Sequence, residues 1–256
     1  MTINKTSNVW DGVYNTFAEA AAESTVFEGS IWLDKIVARA SALIDAARQP
    51  AAISPAAVTT DSALPFVAAL VARRDRPLRI LDFGGGAGTG FVPLTVMLPE
   101  GQPLDFVVVE NEAICRVGRD LFAGDPRVSF VTELPTHGTF DIVYAGSAIH
   151  YVDDWLDKLA RFAALQPQYV LFADLPAGDI KTFVTAQLFH GSRIPVRFWN
   201  FSEFVTSMEA HGYELAFKAR YRGYYLTADT ELPTRNFDPD HRLTYCSQLI
   251  FRRRTG

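Results

Sequence analysis

The chain contains very little cysteine: Cys115 and Cys246 are the only two among 256 residues. Two cysteines cannot form a disulfide framework, and so low a content is typical of proteins from a reducing compartment. Residues 1–8 are polar and lack the apolar core of a signal peptide. No run of residues is long and apolar enough to span a bilayer. We therefore expect a cytoplasmic protein.

An excess of positive charge is also missing. The chain has 24 Lys and Arg against 29 Asp and Glu, for a net charge of −5. Such a balance gives no field that attracts phosphate backbones. The five histidines have no metal-ligand spacing with cysteines or acids. We expect small-molecule partners only, with no nucleic acid, membrane or metal; an oligomer is not indicated.

The most informative segment is 79–90, in which a short apolar strand ends at Asp82 and continues into a glycine-rich loop before an apolar helix. Glycine lets a backbone turn sharply and approach a ligand closely. A loop between a strand and a helix N-terminus is where α/β proteins bind nucleotide-like ligands. A dinucleotide fingerprint does not fit, because its third glycine would fall on Thr89 or Phe91. The candidate ligand-binding residues here are Asp82, Gly84, Gly85, Gly86 and Gly88.

A second acid, Glu110, ends the apolar strand 105–110 and precedes a helix that Asn111 is predicted to cap; both residues are candidate cofactor contacts. Glu110 lies about 20 residues beyond the glycines, where this architecture places the acid that binds both ribose hydroxyls. A carboxylate there favours a plain ribose over a phosphorylated one, because two negative groups would repel. Either acid alone could be an ordinary strand-end residue. Together with the glycine pattern they favour a nucleoside cofactor.

The pattern Asp82-x-Gly84-x-Gly86-x-Gly88 resembles the first motif of class I S-adenosylmethionine-dependent methyltransferases. That resemblance implies a Rossmann-like fold with S-adenosylmethionine as cofactor and an antiparallel pair that closes the sheet. It also implies an adenine contact at Glu133 and Leu134, after the strand 128–132. The alternation of strands and helices from 79 to 173 independently predicts a doubly wound, mostly parallel α/β sheet, and the strand-like segments 213–221 and 243–252 bring it to seven strands.

Two domains are predicted. Residues 1–60 form an N-terminal helical lid and linker, and residues 61–256 form the S-adenosylmethionine-binding domain, with a helical insert near 176–200. Trp10 and Tyr14 of the lid are candidate contacts of the cofactor's sulfonium. This cation has no hydrogen to donate, and a desolvated cation–π contact can contribute about 2 kcal/mol.

The segment after the strand 140–145 is expected to face the cofactor, because ligands lie beyond the carboxyl ends of the strands. Gly146 is a candidate cofactor contact there, and Ser147, His150 and Tyr151 are candidate catalytic residues. His150 could act as a general base near neutrality or could simply hold the loop through a hydrogen bond.

Several segments are similar to a narrower methyltransferase family of bacterial polysaccharide and natural-product pathways, which includes azetidine-2-carboxylate synthases. These are Trp10-Asp11-Gly12-Val13-Tyr14, Asp82-Phe83-Gly84-Gly85, Ala145-Gly146-Ser147 and Gln187. The resemblance implies cyclisation of S-adenosylmethionine with release of methylthioadenosine. The polar residues considered for it are Ser147, His150, Tyr151, Gln187 and Asn200.

Two other functions stay open at this point. One is O- or N-methyl transfer to a small natural-product or carrier-bound substrate, which would use the same cofactor motifs. The other is a non-catalytic binding module. The complete set of glycines and acids argues against a module, which would have no need of ribose contacts.

Overall fold

The computed structural model describes residues 9–21, 26–48, 63–189, 191–221 and 231–255. The helices are α1 (Phe17–Ala20), α2 (Ser30–Arg48), α3 (Ala63–Val71), α4 (Phe91–Met97), α5 (Glu112–Leu121), α6 (Trp155–Ala164) and α7 (Phe201–Glu209). The strands are β1 (Trp10–Tyr14), β2 (Leu78–Phe83), β3 (Leu104–Val109), β4 (Val128–Val131), β5 (Ile142–Gly146), β6 (Tyr169–Leu175), β7 (Ala177–Gly178), β8 (Phe183–Phe189), β9 (Ser192–Asn200), β10 (Tyr213–Arg220) and β11 (Ser247–Arg253). Short 3₁₀ turns cover Val26–Glu28, Ile149–Tyr151 and Pro239–His241.

A seven-stranded sheet in the order β10-β11-β6-β5-β2-β3-β4 forms the centre of the fold. The five strands β6, β5, β2, β3 and β4 are parallel to one another, whereas β11 runs antiparallel to both of its neighbours, β6 and β10. The doubly wound, mostly parallel sheet predicted from the sequence is therefore confirmed. The helices that connect parallel strands must cover the sheet, so both faces are buried and the strands are apolar on both sides.

Helices cover the two faces of this sheet in separate sets. Leu78 and Ile80 of β2 pack in a cluster with α3, α4 and α5, whereas Leu81 packs in a second cluster with α6 and α7. This alternation follows from the two-residue period of a strand. Among the described residues, no helix has the length and apolar character needed to cross a lipid bilayer.

A second, smaller sheet in the order β1-β8-β9-β7 occupies the region predicted as a helical insert. That prediction was wrong, because β8 and β9 form an antiparallel hairpin. In β9, Ile194, Val196 and Phe198 are buried and alternate with less buried residues, which is the two-residue period of a strand. Pro195 lies within the same stretch, where it would disrupt a helix.

The N-terminal segment was also predicted to be wholly helical, and this is wrong for residues 10–14. They form β1, which pairs antiparallel with β8. Trp10, Val13 and Tyr14 are residue types that favour strands, and the partner strand supplies the backbone hydrogen bonds. Helix α2, by contrast, lies within the part predicted to be helical and begins at Ser30. The predicted linker at 49–60 lies outside the described residues, so the boundary between lid and main domain stays a prediction.

The amino-terminal end of the sheet is held by Asp141, which is buried just before β5. Its carboxylate accepts two hydrogen bonds from the guanidinium of Arg76, at 2.8 and 2.6 Å, and a third from the backbone N–H of Arg79 at 2.9 Å. Burial disfavours the charged form, but the Arg76 side chain and the Arg79 amide outweigh it, so the pKa of Asp141 is lowered from its ordinary value. The ion pair therefore stabilises the folded protein above the titration range of this carboxyl group.

Asp141→Asn should lower the free energy of unfolding near pH 7 by about 2 kcal/mol, the order of hydrogen bonds to a charged group. A carboxyl group with a lowered folded pKa stabilises the fold above its unfolded pKa, about 4, and this contribution is lost as the pH falls through the folded value. The difference from wild type should therefore shrink at about pH 3. Urea denaturation near pH 7 and at about pH 3 measures the free energy of unfolding, with Asp45→Asn at an exposed position as control. A difference of equal size at both pH values would contradict the assignment.

Candidate functional site

The glycine loop between β2 and α4 lies directly over the carboxylate of Asp82. A Cβ atom at Gly90 would lie 2.7 Å from Asp82 Oδ2, and one at Gly85 would collide with the same oxygen. Asp82 itself is buried. Gly84 has a φ of +68°, and a Cβ there would lie 2.5 Å from the Cβ of Ala148, in the loop after β5. A side chain at any of these three positions would therefore separate the loop from the groups beneath and beside it.

Glu110 contacts the loop directly. Its carboxylate accepts hydrogen bonds from the backbone N–H of Gly86 at 3.2 Å and from that of Asn111 at 3.0 Å. Burial raises the pKa of Glu110, while these two backbone donors act in the opposite direction. Asn111 caps α5 by accepting from Ile114 N at 3.0 Å, as predicted. The structure thus brings the predicted ribose acid and the predicted glycine loop together.

A polar pair under backbone strain connects the loop after β5 with the end of β6. Ser147 and Asp174 have φ values of +52° and +53°, and the Ser147 hydroxyl donates to Asp174 Oδ2 at 2.6 Å. Residues that are not glycine pay on the order of 1–3 kcal/mol for such a backbone, and this strain clusters at functional sites. Gly146 precedes Ser147, and a Cβ at Gly146 would collide with the Tyr144 hydroxyl. Asp174 is a site residue that the sequence analysis missed.

His150 is buried and is not suited to act as the predicted base. Burial lowers the pKa of His150 to about 3, so its imidazole is neutral near pH 7 and binds a proton poorly. Its Nδ1 has no hydrogen-bond partner among the residues that the structure describes. The alternative, a histidine that holds the loop through a hydrogen bond, is not supported at Nδ1 either. We therefore assign no proton transfer to His150.

Three of the predicted residues meet on one side of the small sheet. The Tyr151 hydroxyl donates to Gln187 Oε1 at 2.8 Å, and Gln187 of β8 is the direct partner of Trp10 in β1. Trp10 and Tyr151 also pack against the same apolar cluster, which includes Phe198. The N-terminal segment is therefore connected to the catalytic candidates through the hairpin.

Tyr14 lies apart from this group. The pairing of β1 with β8 contains a bulge between Asp11 and Tyr14, and Gly12 within it has a φ of +78°. One extra residue in a strand shifts the side chains that follow to the other face. The Tyr14 hydroxyl accepts a hydrogen bond from Arg193 at 2.9 Å, and the same guanidinium binds Asp11. Tyr14 thus helps to fasten β1 to the hairpin and is not placed with Trp10.

Asn200 is used as a helix cap. Its side-chain oxygen accepts from Ser202 N at 3.0 Å and Glu203 N at 3.2 Å, while its Nδ2 donates to the carbonyl of Ile180 at 2.9 Å. With both ends of the amide engaged, Asn200 has a structural role at the start of α7.

The predicted adenine contacts follow β4. Leu134 is buried in the cluster beneath α6, whereas Glu133 is exposed. A role in adenine binding stays a prediction for both residues.

Four aromatic side chains form a wall near the glycine loop, and of these only Tyr151 was predicted from the sequence. This aromatic wall consists of Phe27, Trp32, Tyr151 and Phe189. Neighbouring rings pack edge to face: Phe27 with Tyr151 at 5.1 Å, Phe27 with Trp32 at 5.3 Å, and Trp32 with Phe189 at 5.8 Å between centroids.

The wall is joined to the cofactor motifs at two points. The Asn111 amide donates to the carbonyl of Phe27 at 3.4 Å, and Ile36 Cγ2 of α2 would lie 4.0 Å from a Cβ at Gly86. Helix α2 also packs against α4 and α5. The aliphatic pattern of α2 indicated its helix but not which aromatic residues would face the site.

These residues fit an adenosyl ligand. Gly86 has a φ of +57°, and among the described residues the nearest atom to a Cβ there would be Ile36 Cγ2 at 4.0 Å, so the loop leaves space at the residue whose amide binds Glu110. Within the described ranges, no three or more histidine, cysteine or acidic side chains are grouped so that they could hold a metal ion.

A sequence family described as "Methyltransferase domain" matches residues 59–220. No curated protein matches the chain. Among solved structures, a Haloferax volcanii complex of the Trm112 methyltransferase activator with a protein described as a methyltransferase is 13% identical with a TM-score of 0.55, covering 88% of this chain and 97% of that chain.

Two further structures have the same fold. A Listeria monocytogenes protein described as an S-adenosylmethionine-dependent methyltransferase is 10% identical with a TM-score of 0.52, covering 76% of this chain and 100% of its own. The [4+2]-cyclase SpnF is 14% identical with a TM-score of 0.52, covering 77% of this chain and 82% of its own. At these identities the similarity shows the fold alone.

Glu110→Ala should weaken binding of S-adenosylmethionine at least about tenfold, because a hydrogen bond to a charged group contributes roughly 1.5–3 kcal/mol. Isothermal titration calorimetry measures the affinity, and Glu110→Gln shows whether the charge or the oxygen is required. The matched control is Glu112→Ala, an exposed acid two residues further on. Unchanged affinity in a folded Glu110→Ala variant would show that this acid does not bind the ligand.

Proposed function

We propose that this chain, which belongs to the methyltransferase-domain family, converts S-adenosylmethionine into azetidine-2-carboxylate and methylthioadenosine. As a member of that family it is an enzyme of methyltransferase fold, with S-adenosylmethionine as its cofactor. In the proposed reaction the molecule is the substrate. The lone pair of its α-amine forms a bond to the γ-carbon, the γ-carbon–sulfur bond breaks with its electron pair remaining on sulfur, and one proton leaves the nitrogen.

The observation that carries the proposal is the aromatic wall, whose rings pack edge to face and which is joined to the cofactor motifs through Asn111 and Ile36. A sulfonium is a cation without a proton to donate, and aromatic faces stabilise such a cation best when water is excluded. Phe27, Trp32 and Tyr151 would provide these faces next to the glycine loop, whereas the Phe189 ring is occupied by the Lys35 ammonium at 4.5 Å from its centroid. A reaction within one molecule needs water to be excluded from the reacting atoms, and it does not need an entrance for a second substrate.

The residues proposed to hold the substrate divide into two groups. The glycine loop with Asp82, Glu110 and Asn111 would bind the adenosyl part. Around the methionyl part, Gly146 and Ser147 follow β5, and the Tyr151–Gln187 pair lies beneath the N-terminal segment. These side chains are fixed by their own hydrogen bonds, so they can orient a folded methionyl chain without being reordered first.

Methyl transfer to a small hydroxyl or amine substrate is the second candidate, favoured by the match to a family described as a methyltransferase domain. The glycine loop and Glu110 serve either reaction equally. The fold alone does not decide between the two, since a protein of similar fold is described as a [4+2]-cyclase.

The proposal is tested by incubating the purified protein with S-adenosylmethionine alone and identifying the products by mass spectrometry. Methylthioadenosine together with a four-membered-ring amino acid is the expected result, in equal amounts. The Glu110→Ala variant, assayed in parallel, corrects for spontaneous decomposition. If wild type forms no more product than this variant, and S-adenosylhomocysteine forms only after an acceptor is added, methyl transfer replaces cyclisation.

Trp32→Ala should lower turnover about tenfold. It removes the ring that joins Phe27 to Phe189, and each edge-to-face pair contributes about 0.5–1.5 kcal/mol. Steady-state kinetics of methylthioadenosine release measure the effect. Ile31→Ala is the matched control, since Ile31 precedes Trp32 on α2 and is exposed. If Trp32→Ala released methylthioadenosine as fast as Ile31→Ala, the wall would not support the reaction.

A further inference from the structure

We propose that Asp174 is the residue that takes the proton from the substrate's α-ammonium group, and that Ser147 is the residue that positions it. This inference rests on the proposed cyclisation. The amine can attack only as the neutral form, and an α-amino group has an ordinary pKa of about 7.7–8.0, so much of it carries a proton near neutrality. Cyclisation therefore needs an acceptor beside the amine.

The position of Asp174 in the sheet is the first argument. β5 and β6 are neighbouring parallel strands, with Gly146 paired to Ala173 at their carboxyl ends. The Ser147 backbone N–H donates to the Ala173 carbonyl at 3.0 Å, and the Ser147 hydroxyl then binds the Asp174 carboxylate. The next residue, Ala148, lies beside the glycine loop, where a Cβ added at Gly84 would be 2.5 Å from the Cβ of Ala148. Asp174 is thus joined to the loop through Ser147 and its neighbour.

The backbone at both residues is the second argument. Ser147 and Asp174 occupy the left-handed region, at the ends of two adjacent strands. Among the described residues, Gln166 is the only other residue apart from glycine with such a φ, and it lies in the turn after α6. Strain at two facing positions is maintained only where the surrounding structure enforces it. Here it directs a hydroxyl and a carboxylate toward each other at 2.6 Å.

Cys246 provides the third argument. Its thiol is buried, and burial together with the nearby Asp174 carboxylate raises the thiol's pKa well above its ordinary value. The thiol therefore stays protonated and can serve Asp174 as a second neutral donor. Two neutral donors fix the orientation of the Asp174 carboxylate and leave it able to accept a further hydrogen bond from the substrate's ammonium group.

The proposed step is balanced with the groups named. Asp174 takes one proton from the substrate nitrogen, the freed lone pair forms the nitrogen–γ-carbon bond, and sulfur leaves as a neutral thioether. The proton on Asp174 then passes to water. No oxidant, reductant or second substrate is needed.

Asp174→Asn tests the inference, with the exposed Asp179→Asn as control. We expect Asp174→Asn to bind S-adenosylmethionine within about threefold of wild type by calorimetry and to form methylthioadenosine at least about 100-fold more slowly, the usual range of general-base loss. Asp179→Asn should match wild type in both measurements. Turnover by a folded Asp174→Asn variant at more than about one third of the wild-type rate would overturn the inference, as would loss of binding equal to the loss of rate.

Ser147 supplies a second test that does not depend on how well the Asp174 variant folds. Ser147→Ala should lower kcat about tenfold with little change in KM, and Ser147→Asn, which tolerates a positive φ and keeps a hydrogen-bond donor, should restore part of it. Equal defects in both variants would assign Ser147 a purely structural role. If wild-type protein makes no cyclic product, the proposed function itself is wrong; normal cyclisation by the Asp174 and Ser147 variants would overturn only the present inference.

Discussion

The candidate site depends on the contact between a backbone loop and two carboxylates that lie beneath it. Asp82 is buried under Gly85 and Gly90, and Glu110 accepts a hydrogen bond from the Gly86 amide. The loop can approach them only because it carries no side chains there. A ribose bound beside Gly86 would find the partly buried Glu110 carboxylate as a hydrogen-bond acceptor. Family membership and local geometry agree on this part of the molecule.

The N-terminal segment and the hairpin of β8 and β9 add further structure to this cofactor site. The hairpin of β8 and β9 extends from the main sheet, β1 pairs with its edge, and α2 crosses the loop near Gly86. The aromatic wall lies at the junction of these elements. Each of its rings packs against another, so the rings support one another in the arrangement that a bound cation would meet. These added elements distinguish the chain from a bare nucleotide-binding sheet.

The carboxyl ends of three strands carry acids in corresponding places: Asp82 after the core of β2, Glu110 after β3 and Asp174 near the end of β6. All three face the edge of the sheet where ligands of this architecture bind. The pattern of an apolar run that ends in an acid identified the first two from sequence. Applied to Leu171-Phe172-Ala173-Asp174, the same pattern would have identified the third, although nothing in the sequence indicated the strained backbone that brings Asp174 to Ser147.

The sequence by itself determined the central sheet, the glycine loop and its two acids, because these depend on short-range patterns and on the rule that parallel strands end at one edge. It did not determine how the N-terminal segment and the hairpin of β8 and β9 are arranged. The pairing of Phe27 with Asn111 joins residues 84 positions apart, and the strand period of β9 was mistaken for a helix. A bulge at Gly12 turned Tyr14 away while Trp10 stayed beside Gln187. Such choices depend on which strand pairs with which and in what register, and only the tertiary structure fixes them.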